Sequence, residues 1–455
     1  MNIPLNLPVA IIGAGPIGLA AASHLSIRNQ SFVIFEAGSE IADSVRSWEH
    51  VSMFSPWQFN LDNAALKILS DYNWKIPSQN RIPTGRELIE EYLQPLSRTK
   101  EIAPYINLNS KVTALSRKRI SKMRNAGREK APFVLYIETG KGREVFFARA
   151  VIDASGTWKN PNPAGADGHP AIGETDNRDK IFYGIPDVMG KHRERYFRKD
   201  IAVIGGGHSA INALLELAQL RKGAAQMRLI WILTKAHIEA AYGGLDNDEL
   251  PGRGRVGQLV KNLVESGQVE VHTPFFVDEI LRNKIKVVIK GQSLSGEERL
   301  EVDEIITATG LRPDLGLLRE LRIELDQSVE CPTKLASMID PNIHSCGSVQ
   351  PHGEAELRHP EKDFYIVGMK SYGRAPTFLL TTGYEQVRSV VAGLAGDWVA
   401  AGEVQLKLPE TGICGTPQAV DPNNLVVSKP KDSCCELMVE LNHYIRGCSF
   451  SNLII

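Results

Sequence analysis

Two glycine-rich turns carry the residue types and spacing with the clearest chemistry in this chain. The first reads Gly13-Ala14-Gly15-Pro16-Ile17-Gly18, the second Gly205-Gly206-Gly207-His208-Ser209-Ala210. A short apolar run leads into each turn and a helical apolar pattern leads out, which is the β-α-β dinucleotide fingerprint. The first glycine permits the tight turn, and the second lets the backbone approach a pyrophosphate. The third small residue, Gly18 or Ala210, lets helix and strand pack closely. The pyrophosphate would sit at the helix N-terminus, where unpaired N–H groups and the helix dipole favour an anion.

The second strands of the two units separate their ligands. The first unit runs from Val9 to Glu36 and ends on a carboxylate, 23 residues after Gly13. An acid there accepts hydrogen bonds from ribose hydroxyls. The second unit ends in Thr234-Lys235, with no acid before Glu239. A hydroxyl and a cation suit a 2′-phosphate, although a solvated lysine at a strand end is the plainer role for Lys235. The pattern therefore assigns FAD to the first turn and NADPH to the second. A chain that repeats the unit most simply binds two dinucleotides.

The elements that must position these residues follow. At 455 residues the chain exceeds one ordinary core. The expected fold is α/β, two Rossmann-like three-layer ββα domains with the NADPH domain inserted in the FAD domain. The expected boundaries are 1–160 with 335–400 for FAD, 161–334 for NADPH, and a tail at 401–455. Buried strands end in small residues at Ala154-Ser155-Gly156 and at Thr309-Gly310, where backbone could approach a cofactor. The proline-rich stretch from Trp158 to Pro163 is the expected hinge. Helices are expected over Glu87 to Leu96, Ser209 to Leu220, Gln258 to Ser266 and Thr377 to Ala395, the last with Pro376 near its first turn. Alternating patterns at Ile106 to Leu115 and Phe133 to Phe147 predict a small β-meander. Between Glu36 and residue 62 the sequence is rich in Ser, Trp and Phe; Arg46, Trp48 and Trp57 there suit packing on a flat ring or ordinary aromatic packing.

The bulk numbers narrow the function classes. Hydrophobic residues make up 43% and charged residues 23%, with a net charge of −1. That composition is globular and offers no basic surface for nucleic acid or membrane. No apolar run reaches the length of about 18 residues that a span needs. No basic n-region precedes the first strand, so a signal peptide is not expected and a cytoplasmic location is. The six cysteines, Cys331, Cys346, Cys414, Cys434, Cys435 and Cys448, contain no CxxC. The spacing of His344, Cys346, His352 and His359 fits no zinc pattern, so no metal is expected.

Longer strings carry a family resemblance. The fingerprints, the two small-residue strand ends and the proline exit together resemble two-dinucleotide-binding flavoproteins, and within them the flavin-containing and Baeyer–Villiger monooxygenases. VRSWEHVSMFSPW, VIDASGTWKNPNP, LRPDLGLLRELR, DPNIHSCGSVQPHGEAELRHP and FYIVGMKSYGRAPTFLLTTGYEQVRS resemble more closely the monooxygenase-like flavoproteins of bacterial arsenic-resistance operons. The resemblance covers about residues 8 to 415. It implies hydride transfer from NADPH to FAD, then reaction with molecular oxygen to a C4a-(hydro)peroxyflavin that oxygenates a small soft nucleophile. It implies that Val112 contacts adenine through its backbone and that Arg46 and Trp48 lie near the flavin ring. Gly368, Lys370, Tyr372 and Arg374 would lie near its pyrimidine edge, where a cation would stabilise reduced flavin. Asn60 is the candidate for the asparagine such monooxygenases place over the flavin.

The chain departs from the monooxygenase pattern at one place. The aromatic-x-Gly-x-x-x-His signature corresponds here to Phe182-Tyr-Gly184 and on to His192, with the histidine eight residues after the glycine instead of four. The rival reading within the fold is an NADPH-dependent disulfide or metalloid reductase using Cys414, Cys434 and Cys435, and a flavin-binding redox sensor is a third. A homodimer stays open as the assembly.

Overall fold

Short apolar runs buried on both faces become parallel strands, because helices cover the two sides of the sheet. The computed structural model describes residues 7–406, apart from 246, 247, 249, 344–351, 377 and the side chain of Pro251. The first sheet is built from β1 (Val9–Ile12), β2 (Phe32–Phe35), β3 (Ile106–Asn107) and β7 (Ala150–Asp153). The antiparallel meander β4 (Lys111–Arg117), β5 (Phe133–Thr139) and β6 (Gly142–Ala148) comes between β3 and β7.

The second sheet uses β8 (Ile181–Tyr183), β9 (Ile201–Ile204), β10 (Leu229–Ile232), β11 (Glu270–His272) and β15 (Glu304–Thr307). Its own meander is β12 (Phe275–Asn283), β13 (Lys286–Ser293) and β14 (Gly296–Val302). Strand β16 (Phe364–Ile366) then returns to the first sheet. The orders are β16-β7-β1-β2-β3 and β8-β15-β9-β10-β11, position for position the same arrangement. The second unit lies within the first in sequence, so the expected doubled α/β fold is the fold observed.

Register decides where the turns fall. Ile12 is level with Phe35 and with Asp153, and Asp153 with Ile366. The residues that follow these strands therefore emerge on one edge of the sheet: Gly13, Glu36, Ala154 and Gly368. In the second sheet Ile204 is level with Ile232 and Thr307, which brings Gly205, Lys235 and Thr309 to the corresponding edge.

The proline-rich exit is one half of a paired neck. Asn162 N donates to Gly310 O at 3.0 Å, Arg312 N to Asn160 O at 2.9 Å, and Pro161 bridges Leu311. Two helix starts differ from the sequence reading. The helix expected from Gln258 begins at Pro251. Its glycines read as breakers, yet they admit close packing: a Cβ on Gly254 would lie 2.1 Å from Leu245 O and one on Gly257 2.0 Å from Tyr242 O. The last long helix is Leu380–Leu394, so Pro376 precedes it and is not in its first turn. Over 85–97 the chain is helical as expected, with a π segment at Leu88–Leu93 and a Thr84/Glu87 capping box.

A buried charge cluster fastens the first meander to the approach of β16. Glu361 Oε1 accepts from Arg117 Nε at 2.7 Å, and Oε2 from Arg128 Nη2 at 2.5 Å and from Arg322 N at 3.0 Å. Glu361→Ala would leave two buried guanidinium groups uncompensated. It should lower unfolding free energy by about 3–5 kcal/mol in urea titration; a loss under about 1 kcal/mol would mean water reaches the cluster.

Candidate functional site

The first turn is shaped by what a side chain would hit. Gly13 has φ of +99°, and a Cβ there would stand 2.8 Å from Ala154 O. Over Gly15 nothing lies within 4 Å of a would-be Cβ, so the second glycine opens onto space. The helix Pro16–Ile27 starts there with Pro16 in its first turn and no side-chain cap. The N–H groups of Ile17 and Gly18 therefore have no intrahelical partner. Glu36 clamps the turn: Oε2 accepts from Ala14 N at 2.7 Å and Oε1 from Gly38 N at 2.8 Å. A carboxylate has about four acceptor positions, so lone pairs remain for ribose hydroxyls. Its carbonyl takes Ser110 N at 2.8 Å, which brings the start of β4 and Val112 alongside, at a register shift between Val112 and Ala114.

The residues after β7 and β16 meet beside this turn. Lys370 Nζ donates to Asp153 Oδ2 at 2.8 Å and to Ser155 Oγ at 3.1 Å, while Ser155 Oγ donates to Asp153 Oδ1 at 2.6 Å. Both charged side chains of the pair are fully buried. Gly368 N donates to Gln386 Oε1 at 2.7 Å, and a Cβ on Gly368 would lie 3.0 Å from Ile17 Cγ1. Gly156 closes the group at φ of +71° with open space around it. Tyr372 is buried, its ring edge-on to Phe378 at 5.2 Å; burial raises its phenol above the usual range.

Several expected roles change. Lys370, read as a free cation, is neutralised by Asp153. Arg374 is exposed and does not join it. Asn60 is spent on its own turn, its Nδ2 donating to Ser55 O and Pro56 O and its Oδ1 accepting from Ser55 Oγ. Its two N–H bonds are thus used, and it is a positioning residue. Arg46 pairs with Glu40 at 2.8 Å. Trp48 packs 6.1 Å from Trp158 and over the position of Gly85. Cys331 is the one cysteine among the described residues; burial pushes its thiol up to about 12. Cys346, Cys414, Cys434, Cys435, Cys448 and His344 lie outside the described residues.

The second turn repeats the first. Gly205 has φ of +131°, and a Cβ there would stand 2.2 Å from Ala308 O; over Gly207 the space is open. The helix His208–Arg221 begins without a side-chain cap, leaving the N–H groups of His208 and Ser209 without intrahelical partners, and Ala210 is buried against the strand. Lys235 crosses Gly206, its Cε 3.2 Å from a would-be Cβ, and its Nζ donates to Ala240 O. Thr234 is exposed. Thr309 and Gly310 instead hold the neck: Thr309 Oγ1 donates to Asn162 O and Pro163 O at 2.9 Å each. His192 folds back on its own loop, accepting Asp187 N at 3.0 Å with its ring edge-on to Phe182.

The residue sequence reasoning missed here is Arg253, which lies in a Gly-Arg-Gly-Arg run ahead of the helix expected from Gln258. The structure buries it in the first turn of Pro251–Glu265, with Nε on Asp248 Oδ2 at 2.5 Å. Burial, and next the charge of Arg253, push the His208 imidazole down to about 4. Its ring lies 5.3 Å from Phe54, of the aromatic stretch following Glu36.

Each turn thus combines an open face over its second glycine, an uncapped helix start and N–H donors without intrahelical partners. That donor set fits a pyrophosphate. Residues 10–347 match the family described as pyridine nucleotide-disulphide oxidoreductase. The chain is 25% identical over 337 residues to the bacilliredoxin reductase Bdr of Bacillus subtilis, covering 73% of this chain and 86% of that protein. It is 27% identical over 343 residues to a ferredoxin–NADP reductase of Lactobacillus helveticus, covering 74% and 87%. In fold it resembles the FAD-bound cadaverine monooxygenase of Erwinia amylovora, with TM-score 0.62, 12% identity, and coverage of 89% of this chain and 98% of that one.

Lys370→Met leaves the Asp153 carboxylate buried without its cation. The single variant should lose about 3–5 kcal/mol of stability, and Asp153→Asn combined with Lys370→Met should regain most of it; equal losses in single and double variants would contradict the pairing. His208 adds a pH dependence. Burial pushes its imidazole down to about 4, below the ordinary histidine value of about 6.5, so the unfolded chain binds the proton first. Stability should be level above pH of about 6.5 and fall towards pH of about 4. His208→Gln should flatten that fall by about 2–3 kcal/mol in thermal unfolding across the range; an unchanged slope would contradict it.

Proposed function

The chain belongs to the pyridine nucleotide-disulphide oxidoreductase family, and on that premise we propose that it is an FAD-dependent, NADPH-consuming oxidoreductase of monooxygenase type acting on a small soft nucleophile. The observation that carries the reading is the matched pair of open glycine turns, one closed by the carboxylate of Glu36 and the other by Lys235. Gly13, Ala14, Gly15, Pro16, Ile17 and Gly18 hold the FAD pyrophosphate, Glu36 its ribose, and Val112 its adenine. Ala154, Ser155, Gly156, Gly368 and Tyr372 line the flavin side, with Trp48 and Arg46 across from them. Gly205, Gly206, Gly207, His208, Ser209 and Ala210 hold the NADPH pyrophosphate. Residues 1–160 and 335–400 form the FAD domain, 161–334 the NADPH domain, and 401–455 a tail.

When bound, the flavin supplies hydride acceptance from nicotinamide and the passage of those two electrons onward. The protein's own part is positional. Asp153 and Lys370 form a neutral, buried floor under the strand ends, so the cofactor site gains rigidity and no net charge from them. The neck between residues 158–163 and 309–314 fixes one turn relative to the other. In the reaction, NADPH provides two electrons; one oxygen atom joins the nucleophile and the other leaves as water. An organoarsenical is within that substrate class.

Oxygen is favoured as acceptor because no CxxC exists in the sequence and Cys331 is buried with a raised pKa. The names of the two curated relatives favour a second reading, a reductase. In this chain the dithiol would have to come from Cys414, Cys434 and Cys435. Replacing all three by serine separates the readings. NADPH oxidation with matching oxygen uptake should persist in the triple variant; its loss would establish the reductase route instead.

A further inference from the structure

The region around Arg253 contains more than the fingerprint pattern requires. Two long helices, His208–Arg221 and Pro251–Glu265, begin at the edge where β9 and β10 end, and neither start is capped by a side chain. Arg253 stands in the first turn of the second helix and is 7% exposed. Asp248 holds it through Nε, and Asp248 is itself fixed by Leu250 N on Oδ1 at 3.0 Å. The Nη2 of Arg253 is buried and has no hydrogen-bond partner among the described residues. An orphaned guanidinium nitrogen is a costly feature in a protein interior unless a ligand supplies its acceptor. The charges of Arg253, Asp248 and Lys235 all reach His208, at the start of the first of these helices.

The position within the β-α-β unit distinguishes the candidate anions. The pyrophosphate belongs over Gly207, at the start of the first helix. The ribose of the adenosine half belongs beyond it, at the end of β10, and, past the 3-10 turn Ile238–Ala241, the Pro251 helix is the next long helix after that strand. Its first turn is also anchored from the other domain: a Cβ on Gly252 would lie 2.8 Å from Ile82 Cδ1 and 3.1 Å from Phe54 O. Arg253 is thus a fixed, forked donor, suited to a phosphomonoester dianion in a way a lysine is not.

We propose that Arg253, held by Asp248, reads the 2′-phosphate of the reduced coenzyme and sets the preference for NADPH over NADH, with Lys235 and Thr234 in supporting roles. The inference rests on the reading that the second turn takes NADPH. Lys235 is committed in part to Ala240 O and packs across Gly206, so its cation is less well placed for a bidentate contact.

The test is the affinity of the FAD-loaded, full-length protein for NADPH, NADH and adenosine 2′,5′-bisphosphate, measured by calorimetry. Arg253→Met should lower the NADPH-to-NADH affinity ratio about ten- to a hundred-fold, with parallel loss of the bisphosphate. Arg253→Lys keeps the charge opposite Asp248 but removes the fork, and should give a ratio between wild type and Arg253→Met. Flavin content and melting temperature report whether each variant folds; if Arg253→Met does not fold, Arg253→Lys decides. A ratio unchanged in the folded variants overturns the proposal. Equal loss of NADPH and NADH also overturns it, by placing Arg253 on the pyrophosphate. Wild-type protein that binds neither NADPH nor the bisphosphate sinks the functional reading itself, an outcome distinct from the other two.

Discussion

The structure depends on strand ends that finish level. Because Ile12, Phe35, Asp153 and Ile366 end at one height, the backbone that follows each must turn within the same few ångströms. Only a residue without a side chain fits where β1 meets β7, since a Cβ on Gly13 would reach Ala154 O and one on Gly205 would reach Ala308 O. The same crowding that requires glycine at these positions leaves the space above Gly15 and Gly207 empty. Two helix N-termini then open onto that space with unpaired donors. The anion sites are consequences of register, repeated because the sheet order is repeated.

Charge is arranged around these sites with economy. Cations near the first turn are matched by a neighbouring acid, Lys370 by Asp153 and Arg46 by Glu40. A neutral floor under a redox cofactor tunes its surroundings through rigidity and hydrogen bonds more than through field. Around the second turn Arg253 is held by Asp248 and Lys235 by the carbonyl of Ala240, while burial pushes the His208 imidazole down.

Much of this was legible in sequence because glycine spacing and strand-end acids are local signals. The doubled β-α-β units, the first meander and the discontinuous first sheet could be read from residue order. What could not be read was partnership across the chain. Lys370 and Asp153 are 217 residues apart, so nothing local announced that the lysine was already paired. Asn60 looked like a functional amide because its hydrogen bonds to Ser55 and Pro56 depend on a turn with no strong signature. Thr309 and Gly310 were read as cofactor contacts because the neck that uses them forms only when residues 160–163 come alongside. Arg253 was hidden by glycines that signal loops in isolation but here allow a helix to lie against backbone.

The most direct measurement is an anaerobic titration of the FAD-loaded protein with NADPH, following the visible absorbance of the flavin. The account predicts full bleaching at one equivalent of NADPH per flavin, and recovery of the oxidised spectrum when oxygen alone is admitted. Consumption of two equivalents would reveal a second two-electron store, a dithiol, and would contradict oxygen as the acceptor. No bleaching at all would contradict the assignment of the two turns.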